Sequence, residues 1–218
     1  MKNRQWLRMS VCTAIIIANV GCGGGFESSS LTSAVGGSST RLDPVAQTNL
    51  ELNSLNSNIG SLNLSIADSQ GQLDLITLTN LITQSANGPA SDAGAKISDS
   101  ISKFLDKVVN GVSKVLTQID TVTSKIQMRM AKLDANVPAE AQVIAKLKTL
   151  LEDIYKFKAK VVAAVKSLAA KLDTLVTKLD GDISNISNTA VQILVEVIWQ
   201  PVKAQINQHR DALLALVP

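Results

Sequence analysis

Residues 97–133 read ISDSISKFLDKVVNGVSKVLTQIDTVTSKIQMRMAKL, and this stretch decides the fold. Ile97, Ile101, Phe104, Val108, Val112, Val115, Ile119, Val122, Ile126, Met130 and Leu133 recur at steps of three and four. Their mean spacing of about 3.6 residues is the period of a straight amphipathic α-helix. Lys, Asp, Ser and Thr fill most of the positions between them. An apolar stripe this long has to be hidden against others like it.

The neighbouring segments supply such stripes. Downstream, Val143, Leu147, Leu150, Ile154, Phe157, Val161, Val165, Leu168, Leu172, Leu175 and Leu179 repeat the pattern. Asp134 to Pro138 forms the intervening turn, with Pro138 suited to a first helical position. Gly181 is a natural terminator and Asp182 a cap for the next helix. A fourth segment, about 183–216, carries Ile186, Leu194, Ile198, Val202, Ile206 and Leu213. Pro201 lies inside it and predicts a kink or break near Gln200. Upstream, Leu52, Leu55, Ile59, Leu62, Ile66, Leu73 and Ile76 form a heptad seam in which Ser69 fills one slot. Asn87-Gly88-Pro89 separates that segment from the next, which Ser91 is placed to cap. Similar lengths and short turns predict an all-α fold over residues 46–218. The expected architecture is an elongated antiparallel four-helix bundle or a set of paired helical hairpins.

Composition agrees. Of 218 residues, 45% are hydrophobic but only 3% aromatic, a bias away from all-β architectures. One histidine, His209, and two cysteines, Cys12 and Cys22, exclude multi-His and Cys-rich metal sites. No metal or cofactor is therefore expected.

The first residues read as an address. MKNRQWLR carries Lys2, Arg4 and Arg8 with no acid, and an apolar stretch runs from Met9 to Val20. A basic n-region and a short apolar h-region describe a secretory signal. Twelve helical residues rise about 18 Å, short of the ~30 Å hydrocarbon core. Val20-Gly21-Cys22 then closes the h-region, and Gly23, Gly24 and Gly25 come next. This resembles the lipobox of bacterial lipoproteins, although Asn19 stands where that family has an aliphatic residue. The resemblance implies a signal peptide over 1–21 and lipidation of Cys22. It further implies a membrane partner reached through that lipid and, because no Asp stands after the cysteine, the outer membrane. Residues 22–45 are rich in Gly and Ser and read as a flexible tether.

Removing residues 1–21 removes three basic residues and leaves 18 basic against 18 acidic, so the positive net charge belongs to the leader. Nucleic acid is not an expected partner. Charge is nonetheless uneven. Residues 22–95 carry one basic and six acidic residues, and residues 96–180 carry fifteen basic and nine acidic. The expectation is that an acidic first segment packs beside basic second and third segments. The competing reading is a basic face, including Lys146, Lys156, Lys160 and Lys171, that meets anionic lipid or glycan.

Catalytic patterns are absent from the sequence. There is no Gly-x-Ser-x-Gly elbow, no P-loop and no Gly-x-Gly-x-x-Gly. Glu152 and Asp153 are adjacent on a helix and point apart. His209 reads as an exposed or partly packed residue near a helix end. Met128 and Met130 read as core filler, with adaptation to a partner surface the alternative. Ala190 to Val202, AVQILVEVIWQPV, is too short to span a bilayer and reads as core, with an insertion or partner surface the alternative.

The expected function is that of a non-enzymatic, lipid-anchored envelope protein with a structural or protein-interaction role, facing the periplasm or the cell surface. A protein partner or homo-oligomer is compatible with its amphipathic helices. In plan it is similar to small helical envelope lipoproteins of the murein-lipoprotein kind. Its C-terminus, LALVP, lacks the terminal Lys that links that family to peptidoglycan. The alternative is a membrane-active or lipid-binding bundle, similar to apolipoproteins or α-helical pore-forming toxins.

Overall fold

The computed structural model describes residues 43–217. The expected signal peptide, Cys12, Cys22 and nearly all of the expected tether lie outside the described residues. Within them the fold is all-helical: α1 (Pro44–Asp74), α2 (Leu78–Ala86), α3 (Ala90–Met130), α4 (Pro138–Ser184) and α5 (Thr189–Leu216).

Local chemistry sets the boundaries. Asp43 caps α1 by accepting from the Val45 N–H, and Pro44 opens the helix where a missing N–H costs nothing. The helix therefore starts two residues before the expected position. The expected single first segment is broken at 75–77. Thr77 Oγ1 accepts from the Asn80 N–H at 3.2 Å, and Asn80 Nδ2 donates back to the Leu75 carbonyl. That reciprocal cap satisfies a helix end and a helix start together, so five helices replace the expected four.

Other boundaries also move. Ser91 does not cap α3; the Pro89 carbonyl receives the Asp92 and Ala93 N–H groups, and the helix begins at Ala90. Pro138 stands at the start of α4 as expected. Gly181 does not end that helix, which runs on to Ser184, and Asn188 rather than Asp182 caps α5. Pro201 is accommodated inside α5 without a break in the helix.

The core is one apolar cluster shared by all five helices. From α3, Ile101, Leu105, Val108, Val112, Val115, Ile119, Val122 and Ile126 are fully buried. Toward its N-terminus the stripe turns by one position from the expected seam. Ser98 and Leu105 replace Ile97 and Phe104, which are only partly buried and line a groove beneath α2. On α5 the expected Leu194 faces outward, and Val195 takes the core position.

Side-chain pairs give the helix directions. Glu51 meets Lys125 and Arg129, Asn58 meets Gln118, and Ser69 meets the Phe104 carbonyl, so α1 and α3 run in opposite senses. Asp180 meets Trp199 and Lys203 while Asp173 meets Arg210, so α4 and α5 are also antiparallel. The α3–α5 pair is different. Ser98 meets the Pro201 carbonyl and Asp106 meets His209, both at a separation of 103 residues, so these two helices run parallel. Among the described residues α1 and α5 do not touch; both pack on α3 and α4. The most extensive contact of α3 is with α5, which is not its sequence neighbour.

Two glycines sit at close approaches and predict opposite outcomes. A Cβ at Gly111 would lie 3.1 Å from Leu62 Cδ1, the movable end of a side chain, whereas at Gly94 it would meet the backbone of α5. Gly111→Ala is expected to be neutral or to stabilise by up to about 1 kcal/mol, since alanine is the better helix former. A drop in the urea midpoint would show that Leu62 cannot yield.

Candidate functional site

Most ion pairs among the described residues join two helices. At one end, Arg129 donates from Nη1 to Glu51 Oε2 at 2.9 Å and from Nη2 to Oε1 at 3.1 Å. Nη1 also reaches Thr48 Oγ1 at 2.7 Å, and Lys125 Nζ adds a bond to Glu51 Oε1 at 3.0 Å. Thr48 is fully buried and returns its own proton to the Pro44 carbonyl. A planar guanidinium on a carboxylate in this forked geometry fixes the register of α1 on α3. Burial works to raise the Glu51 pKa, but the hydrogen bonds from Arg129 and Lys125 prevail and hold it below its ordinary value.

At the other end, Trp199 is the largest fully buried side chain. Its indole N–H donates to Asp180 Oδ1 at 2.7 Å, and Lys203 Nζ donates to Oδ2 at 2.6 Å. Partial burial again opposes ionisation of Asp180, and the two donors outweigh it, so its pKa is lowered.

These two carboxylates predict an acid response. A depressed carboxylate adds stability above its unfolded pKa, here ordinary values of 4.5 for Glu51 and 3.8 for Asp180, and that stability is lost as pH falls through the folded pKa. The denaturation midpoint is expected to hold from neutral pH to about 5 and to fall below about 4. Glu51→Gln is expected to cost about 1 kcal/mol at pH 7 and to flatten this acid limb. An unchanged limb in Glu51→Gln would remove Glu51 from the account.

His209, expected to be exposed or partly packed, is buried. It is 5% exposed, with Nε2 at 3.0 Å from Asp106 Oδ1 and Nδ1 at 2.8 Å from the Gln205 carbonyl. It ties α5 to α3 from a buried position. Among the described residues no group of three His, Cys, Asp or Glu is arranged to hold a metal ion.

Two of the lysines considered for a basic face have acidic partners of their own. Lys171 bonds to Asp74 and the Gln70 carbonyl of α1, and Lys156 pairs with Asp153 on its own helix. Acids of α1 thus meet cations of α3 and α4, as the uneven charge leads one to expect.

Some apolar surface stays open. Ala190–Val202 divides by face: Val195, Ile198, Trp199 and Val202 are buried, whereas Ile193, Leu194 and Val197 are exposed. Met130 packs against the core, but Met128 is 58% exposed and Leu50 of α1 is 59% exposed. Leu50 and Met128 share a groove of about 540 Å³ with Gln47, Glu51, Lys125, Arg129 and Lys132. Periodicity does not point to this groove, because none of its lining residues belongs to the apolar seam of its own helix. Only the α1–α3 register brings the two sets together. No helix among the described residues is long and apolar enough to cross a membrane.

No family model, curated protein or solved structure matches the chain.

Proposed function

We propose that this chain is a non-enzymatic, lipid-anchored protein of the bacterial cell envelope, held at the outer membrane by acyl chains on Cys22 and serving a structural or protein-interaction role. One observation carries this reading: Gly21-Cys22 ends an apolar leader and opens a glycine run, in a chain with no later cysteine. Each buried CH₂ adds roughly 0.8 kcal/mol of membrane affinity, so several acyl chains hold a water-soluble bundle on a bilayer. The ion pairs that join helices agree with a structural role. Mass spectrometry of the native N-terminus with membrane fractionation tests the reading. Acyl mass on Cys22 in the outer-membrane fraction is expected; an unmodified chain in the soluble fraction would sink it.

The exposed Ile193, Leu194 and Val197 favour a second reading, a bundle that opens onto lipid. It requires that the protein release dye from liposomes. Intact liposomes after exposure to the purified chain would leave the anchored scaffold alone.

A further inference from the structure

We propose that the groove between α1 and α3, at the end where the chain enters the bundle, is a docking face for an anionic phospholipid surface. The proposal rests on the lipid-anchor reading above and adds to it an orientation.

The groove is built as an amphipathic contact. On α3, Lys125, Met128, Arg129 and Lys132 succeed one another at helical intervals and share one side. Leu50 faces Met128 from α1, and both are more than half exposed. Three cations line the groove against one carboxylate, Glu51, whose oxygens are already taken by Arg129 and Lys125. Lys132 has no ion-pair partner among the described residues. Apolar side chains flanked by cations in excess of acids are what a headgroup boundary selects, with the apolar groups entering and the ammonium groups meeting phosphate.

Chain length chooses this surface over the other exposed apolar patch. Cys22 and Asp43 are 21 residues apart in sequence. Gln47, one turn into α1, lines the groove itself. The Ile193–Val197 patch lies at the far end, since Ile198 packs on Gly94 while the groove is built around Arg129. About 35 residues of α3 separate those levels, about 50 Å along the helix. An anchor at Cys22 therefore favours contact at the groove and leaves the distal patch turned away from the bilayer.

The test uses the full acylated chain, reconstituted into vesicles, with Met128→Cys as a reporter and Ser167→Cys on the exposed side of α4 as a control. Labelling by a membrane-impermeant maleimide is compared between phosphatidylcholine vesicles and vesicles enriched in phosphatidylglycerol. The thiol introduced at position 128 is expected to label roughly thirtyfold more slowly on the anionic vesicles, the order of effect expected of a net two positive charges near such a surface. High salt or added Lys132→Glu should restore labelling, and the control should label equally throughout. Equal labelling at position 128 on both vesicle types overturns the proposal. So does protection that Lys132→Glu leaves intact, or protection that arises only in whole envelopes, which would assign the groove to a protein. Labelling of Cys22 itself would overturn the anchor reading independently, because an acylated thioether cannot react.

Discussion

Trp199→Ala is expected to destabilise the bundle by about 3–5 kcal/mol, the range for emptying a large aromatic site in a packed core. Trp199 is 1% exposed and sits where α5 packs against the rest of the core. Its removal leaves a void that helices held on both sides cannot collapse to fill. It also takes the indole donor from Asp180, which keeps only Lys203. Trp199→Phe separates the two contributions. It retains most of the apolar area and loses the N–H···O bond, so a smaller cost of about 1–2 kcal/mol is expected. Both are read as shifts in the urea midpoint followed by helix circular dichroism. A Trp199→Ala midpoint within error of the parent would mean that α5 is not docked as described.

Gly94→Leu is the second large effect, expected at about 3 kcal/mol or more, with Gly94→Ala costing about 1–2 kcal/mol. Alanine elsewhere in a helix interior would add about 1 kcal/mol over glycine. The sign reverses at this site because of what a Cβ would meet. The Ile198 carbonyl oxygen lies at 3.0 Å, Ile198 Cα at 3.1 Å and Pro201 Cγ at 3.1 Å. Two of these are helix backbone, and the third is a ring that cannot swing aside. The helices must separate, and the Ser98 to Pro201 carbonyl bond at 3.4 Å separates with them. Substitution of Gly60, Gly71 or Gly181, where a Cβ meets nothing, supplies the matched control. Stabilisation by Gly94→Ala would show that the α3–α5 approach is looser than these distances.

The same contact shows why Pro201 does not break α5, where the sequence predicts a kink or a break. A proline in mid-helix removes the N–H that would bond to the carbonyl four residues earlier, here Val197. Val197 is exposed, so water can serve that carbonyl and the helix continues. Gly94 opposite makes room for the ring. Neither fact is local to α5.

The single histidine gives a parallel case. Position 209 lies near a helix end, where an exposed or partly packed side chain is expected. It is buried because α5 runs parallel to α3 and brings Asp106 within 3.0 Å. A residue 103 positions away cannot be foreseen from helical periodicity alone.

The charge imbalance, by contrast, is legible. Acidic α1 does lie against basic α3 and α4, through Glu51 with Arg129 and Lys125 and through Asp74 with Lys171. Opposite net charges on successive segments favour such pairing whatever the register. The register then decides which cations an acid reaches, and Lys132 is left outside every ion pair among the described residues.

Sequence alone determined that residues past the tether form amphipathic helices, because a 3.6-residue recurrence of Val, Leu and Ile is a local property each segment carries by itself. It also determined most of the buried set, Ile101 through Ile126 and Leu147 through Leu179, since those side chains share one face under any packing. The tertiary structure alone decided which helix lies beside which, the parallel α3–α5 pair and the groove at the tether end. Apolar stripes are nearly interchangeable partners, as burial is non-directional and scales with area. The choice among them falls to a few steric and polar fits, Gly94 against Pro201 and Trp199 on Asp180, that exist only once distant segments meet.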